Sequence, residues 1–188
     1  MATLYCLGDS LTFGSGVRPS QKWTALSAGE ALHIVNLGVP GDTAVGMLAR
    51  LQKLEPAAGD RVLIMGGTND IFCAQSDVSA RSAIAAMVQQ LLAKGIRPML
   101  GIPVPFVPEM IPEKWQQLTD FVAAAALQEA YCGWLKRYCR TFDVPYVDFR
   151  EDYVNQNGTP RAELYLDGLH PNGEGHRIMA QRLREVLK

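Results

Sequence analysis

The feature of this chain that most constrains its fold is an alternation of short apolar runs with longer stretches of helical pattern. The apolar runs fall at Thr3–Leu7, His33–Leu37 and Arg61–Met65, in "IRPMLGIPV", and in "VPYVDF" near residue 146. Helical spacing covers Trp23–Leu32 and a stretch after "PGDT", capped by Asp42 or Thr43, that runs toward Leu54. It returns over Val78–Lys94 with Gly95 as its stop, over Leu118–Phe142, and over Gly173–Leu187. Strands that are apolar throughout must be covered on both faces, and helical crossovers supply that cover. The expectation is an α/β fold with a doubly wound parallel sheet.

Other classes are disfavoured by specific absences. The first strand–helix turn lacks the Gly-x-Gly-x-x-Gly of a dinucleotide-binding fold. A formal net charge of -1 over 188 residues gives no electrostatic reason to expect nucleic acid. The four cysteines, Cys6, Cys73, Cys132 and Cys139, are scattered, so a disulfide framework or metal centre is not expected. No apolar run has the length of a membrane span, and the N-terminus enters a strand without a signal-peptide pattern. These readings point to a cytoplasmic protein. Without internal repeats or linkers, residues 1–188 read as one domain.

In doubly wound sheets, ligands bind beyond the carboxyl ends of the strands. The polar, glycine-rich segments of this chain stand there: Gly8, Asp9 and Ser10 after the first strand, Gly38 after the second, and Gly66–Asp70 after the third. Ser10 is either a cap or a nucleophile. A serine nucleophile needs a base within hydrogen-bond reach. Of three histidines, His33 begins an apolar strand and His176 lies on the last helix, and both read as structural. His170 stands between Leu169 and Pro171 in a loop, three residues after Asp167. A carboxylate there can accept from imidazole Nδ1 across a turn at Gly168 and leave Nε2 for the serine. Alone, Asp-x-x-His is a weak signal that reads first as turn chemistry, and its value comes from combination with Ser10. Asn69 offers a side-chain amide, or an ordinary Asx-turn; Gly38 offers an unhindered backbone N–H, or a simple turn.

Four blocks occur in order: "GDSLTFGSG", "NLGVPGD", "GGTNDIF" and "DGLHPN". Together they strongly resemble the SGNH hydrolases, the GDSL esterase/lipase family, from Gly8 to Pro171. The resemblance implies a three-layer α/β/α sandwich on a five-stranded parallel sheet of flavodoxin-like winding. It implies Ser10 as nucleophile, His170 as general base, and Asp167 as the acid that orients the histidine. Ser10 N–H, Gly38 N–H and Asn69 would receive the oxyanion. No metal or cofactor is implied, and the partner is a small-molecule ester. Asp9 and Asp70 read as structural support, with Asp9 anchoring the Ser10 loop. Asp70 would hold the Gly67–Asn69 turn or tie it to the Ser10 loop.

That set performs a two-step hydrolysis in which the imidazole must begin neutral, so turnover falls on acidification. The segment "PVPFVPEMIPEKW" carries four prolines and reads as a shaped loop. Its Phe106, Met110 and Trp115 are candidate substrate contacts, although Trp115 serves equally to pack the next helix. The preferred activity is that of a carboxylesterase or arylesterase for short acyl chains. A thioesterase, a lysophospholipase and a carbohydrate acetylesterase use the same site. A metal-dependent phosphoesterase built on Asp9, Asp70, Asp167 and His170 would leave the serine unexplained. A non-enzymatic binding protein on this fold would leave the whole set unexplained.

Overall fold

The computed structural model describes residues 2–29 and 32–188. Among these, five strands form one parallel sheet in the order β2-β1-β3-β4-β5, with β1 at Thr3–Gly8, β2 at His33–Gly38, β3 at Arg61–Met65, β4 at Arg97–Ile102 and β5 at Tyr146–Asp148. This is the flavodoxin-like order, and it puts the topological switch between β1 and β3.

Alternation along the strands sorts the core into two layers. Leu7, Val62, Ile64, Leu100 and Ile102 face one side. There they meet α3 (Ala44–Leu51), α5 (Val78–Ala93) and α7 (Phe121–Phe142). Leu4, Cys6, Leu63, Met65 and Met99 face the other. They pack with Leu11 of α1 (Ser10–Phe13), Trp23 of α2 (Trp23–Ser27) and Met179, Ala180 and Leu183 of α8 (Gly173–Leu187). Each such buried aliphatic side chain contributes about 1.5–3 kcal/mol by transfer from water. The result is a three-layer α/β/α sandwich.

The strands, α5, α7 and α8 lie close to their expected bounds, and the helix expected toward Leu54 stops at Leu51. Thr43 rather than Asp42 caps α3, its hydroxyl accepting from Gly46 N–H at 3.3 Å. The helix expected over Trp23–Leu32 stops at Ser27, because Ala28 turns extended and Gly29 pairs with Leu32. Positions 30 and 31 of that expectation lie outside the described residues. Three further helices were not apparent in the sequence: α1 at Ser10–Phe13, α4 at Thr68–Ala74, and α6 at Glu113–Gln116 inside the proline loop.

Candidate active site

Ser10 is the first residue of α1. Asp9 caps that helix, its Oδ1 accepting from Leu11 N–H at 2.9 Å. Trp23 Nε1 donates to Leu11 O at 2.9 Å and pins the short helix from the α2 side. Gly8 makes the sharp return possible, since a Cβ there would lie 2.1 Å from Thr12 Oγ1 and 2.7 Å from Met65 O. As the first residue of a helix, Ser10 has no intrahelical acceptor for its N–H.

The loop before α8 brings His170 to this serine. His170 Nε2 is 3.1 Å from Ser10 Oγ, and His170 Nδ1 is 2.8 Å from Asp167 Oδ2. The other oxygen of Asp167 accepts from the N–H groups of Leu169 and His170 at 3.0 and 2.8 Å. One carboxylate therefore shapes the turn and orients the ring. Partial burial pushes the Asp167 carboxyl up, but the bonds from the His170 ring and backbone outweigh it and hold the group below its ordinary value. Gly168 sits at φ +79, where a Cβ would meet Val107 O at 2.5 Å. Val107 N–H in turn donates to Gly168 O at 2.7 Å, fastening the histidine loop to the proline loop. Trp115 stands edge-on to His170, with ring centroids 6.2 Å apart.

Asn69 lies in the first turn of α4, and its Nδ2 donates to Asp42 O at 2.9 Å, leaving its second amide proton. Asp70, beside it, accepts from Ala44 N–H at 2.9 Å. It therefore ties the β3–α4 turn to the start of α3, not to the Ser10 loop. Burial raises its carboxyl pKa. Burial also pushes Asp9 up to about 7, against the pull of Leu11 N–H and His170. Asp9 is 1% exposed, and its Oδ2 has no partner among the described residues.

Gly38 differs from its expected placement. Its N–H donates to Asn36 Oδ1 at 2.9 Å, and a Cβ there would strike Phe13 N at 2.1 Å. The glycine at 38 allows α1 to press on the end of β2, and its N–H is already engaged. Gly41, three residues later, lines the cleft together with Ser10, Asn69 and His170. Residues 39–42 close as a turn, with Asp42 N–H on Val39 O at 3.1 Å. Pro40 and Gly41 hold its centre, and Gly41 at φ +76 meets the positive φ that a type II turn requires. The Gly41 N–H has no acceptor among the described residues.

The cleft has a volume of about 580 Å³. Its far wall is Phe72, Trp115, Leu118, Phe121 and Leu169, with the exposed Cys73 beside them, and its lining holds no Asp, Glu, Lys or Arg. Phe106 lies behind this wall, 2% exposed, with its ring edge-on to Phe72 and Phe121 at 5.1 and 6.1 Å. Met110 packs under Gly168 and is absent from the lining. Of the three wall residues expected from the proline loop, Trp115 alone reaches the cleft. Asn69, Phe72 and Cys73 share one face of α4 by i, i+3, i+4 spacing, a signal hidden while "GGTND" read as a turn.

The model of the GDSL-like Lipase/Acylhydrolase family matches residues 6–178. The chain belongs to that family. It is an enzyme of the GDSL esterase/acylhydrolase type. It is 29% identical to Esterase TesA of Pseudomonas aeruginosa over 180 residues, covering 90% of this chain and 79% of the relative. It is 25% identical to Thioesterase 1/protease 1/lysophospholipase L1 of Escherichia coli K12, covering 99% of this chain and 83% of the relative. Two solved structures share the fold. A member of the lipolytic protein G-D-S-L family from Veillonella parvula superimposes with a TM-score of 0.76 at 21% identity, covering 99% and 98% of the two chains. Est24, a carbohydrate acetylesterase from Sinorhizobium meliloti, superimposes with a TM-score of 0.77 at 20% identity, covering 100% and 98%. Among the described residues no helix is long and apolar enough to cross a membrane.

Proposed function

We propose that this GDSL-family enzyme hydrolyses carboxylic esters of short apolar acyl chains through a covalent acyl-enzyme on Ser10. The observation that carries the reading is the Ser10–His170–Asp167 relay, at 3.1 and 2.8 Å, opening on a largely apolar cleft lined by no carboxylate, lysine or arginine. His170 Nε2 takes the Ser10 proton as Oγ attacks the acyl carbonyl carbon. The carbonyl π electrons move to oxygen, and Ser10 N–H, Gly41 N–H and the free Asn69 amide proton receive that charge. Asp167 holds Nδ1–H and stabilises the imidazolium. As the C–O bond to the leaving group breaks, His170 protonates the departing oxygen. Water then attacks the acyl-enzyme with His170 again as base, and the acid departs.

The apolar wall supports an acyl chain longer than acetyl, because each buried CH₂ adds about 0.8 kcal/mol. A thioester is the second reading. The Escherichia coli relative carries thioesterase in its name, and a thiolate needs less protonation than an alkoxide to depart. Four free cysteines suit a reducing compartment, which supports a cytoplasmic enzyme.

A panel of p-nitrophenyl esters from acetate upward, with acyl-CoA thioesters and acetylated sugars, tests the substrate class. The expected kcat/KM rises by up to about fourfold per added methylene over the first few carbons. A flat chain-length profile, or a preference for acetylated sugars, would contradict the reading.

A further inference from the structure

Three separate segments supply the proposed oxyanion donors, and one guanidinium outside the cleft touches two of them and reaches the third through one residue. Arg50, on the last turn of α3, donates from Nη2 to Gly8 O at 2.9 Å, at the end of β1 next to the Asp9–Ser10 corner. Its Nη1 donates to Leu37 O at 2.7 Å, at the end of β2. Its Nε and Nη2 meet Asp42 Oδ2 at 2.8 and 2.7 Å. Asp42 follows Gly41, its N–H closes the turn that sets Gly41, and its carbonyl accepts from Asn69. The planar fork of an arginine can hold three such acceptors in one fixed arrangement; a lysine ammonium has no such fork. Gly46, one turn before Arg50 on the same helix, clears the space. A Cβ there would lie 1.9 Å from Asp42 Oδ1.

We infer that Arg50, acting through Asp42, is a positioning residue that sets the spacing between Ser10 N–H, Gly41 N–H and the Asn69 amide. The inference rests on the oxyanion reading above. Arg50 does not line the cleft, so it acts on the geometry of the donors and not on substrate binding. A misplacement of about 1 Å in such a constellation costs on the order of 10²-fold in rate.

The test compares wild type, Arg50→Ala, Arg50→Lys and Gly46→Ala in kcat, KM and inhibition by an alkyl boronic acid, whose tetrahedral adduct mimics the charged intermediate. Arg50→Ala is expected to lower kcat by about 10²-fold with KM within about twofold. The boronate constant should weaken in step with kcat. Millimolar guanidinium should restore part of the Arg50→Ala rate, since the side chain is 30% exposed and its place is open to solvent. Arg50→Lys should recover less. Gly46→Ala keeps both charges and favours helix, yet it displaces the Asp42 carboxylate and should lower kcat without lowering the thermal midpoint. If Arg50→Ala does not fold, Gly46→Ala decides alone. Wild-type kcat in folded Gly46→Ala, or a folded Arg50→Ala with wild-type kcat or a loss confined to KM, overturns the inference. Failure of the nucleophile reading looks different: Ser10→Ala would then keep its turnover whatever Arg50 does.

Discussion

At the residue scale, the site separates groups that react from groups that hold them. In the proposed reading Asn69 faces the substrate oxygen, with one amide proton on Asp42 O and one remaining for the oxyanion. Asn69→Ala should lower kcat with little change in KM, by about 3 kcal/mol of transition-state stabilisation. Steady-state kinetics on a p-nitrophenyl ester checks this, and an unchanged kcat removes Asn69 from the role. Asp9, as prominent in "GDSL" as the serine, caps the helix that carries Ser10. The meeting of Ser10, Asp167 and His170 was legible from sequence only through the four blocks taken together, since each block alone reads also as a cap or a turn. The choice between Gly38 and Gly41 was not legible. Both glycines stand in "GVPG", and which N–H stays free depends on Asn36 reaching back to the first of them. Phe106 was misplaced for a related reason: an apolar residue in a loop fits a cleft wall or the layer behind it, and the helices α4 and α7 decide which.

At the element scale, two short helices at strand ends do much of the placing. The helix α1 was hidden in a glycine-rich segment, and α4 behind a turn-like "GGTND"; both are too short to show periodicity. The long elements were legible because their apolar repeat extends over several turns or a whole strand. Packing of α8 on α2 adds a pH dependence. His176 is fully buried on α8, and its Nδ1 accepts from Trp23 N–H at 3.3 Å. Burial foremost, with Lys22 and His170 adding, lowers its pKa from 6.5 to about 4. The unfolded chain therefore binds the extra proton between those values, and the contribution of His176 is lost as pH falls through that window. Asp9 has the opposite sign. Its folded carboxyl holds a proton up to about pH 7, so it disfavours the fold as pH rises from 3.8 toward that value. His176→Asn keeps an acceptor for Trp23 and does not titrate. Its stability relative to wild type should improve by on the order of 3 kcal/mol as pH falls from 6.5 to 4. Denaturant titrations at several pH values measure that difference. A difference independent of pH would show that His176 is not held neutral.

At the scale of the whole molecule, the sheet order explains why distant segments meet. With β1 and β3 adjacent at the topological switch, the turns carrying Ser10 and Asn69 leave neighbouring strand ends. Residues 39–42 follow β2, beside β1, and close the same edge. His170 and Asp167 come from far along the chain, after β5 at the opposite border, and the Val107–Gly168 bond carries their loop back toward Ser10. The parallel sheet was legible from alternation alone. The convergence of its loops needed the resemblance, because no local pattern records that residues 10 and 170 touch.

The central claim is that Ser10 is the nucleophile, and covalent labelling tests it most directly. Wild-type protein treated with a fluorophosphonate, digested and analysed by mass spectrometry should carry one phosphonyl group, on Ser10, with loss of ester turnover in step with labelling. Ser10→Ala should stay folded, take no label and turn over no ester above background. A label on another residue that tracks inactivation, or Ser10→Ala hydrolysing esters at the wild-type rate, would contradict the account.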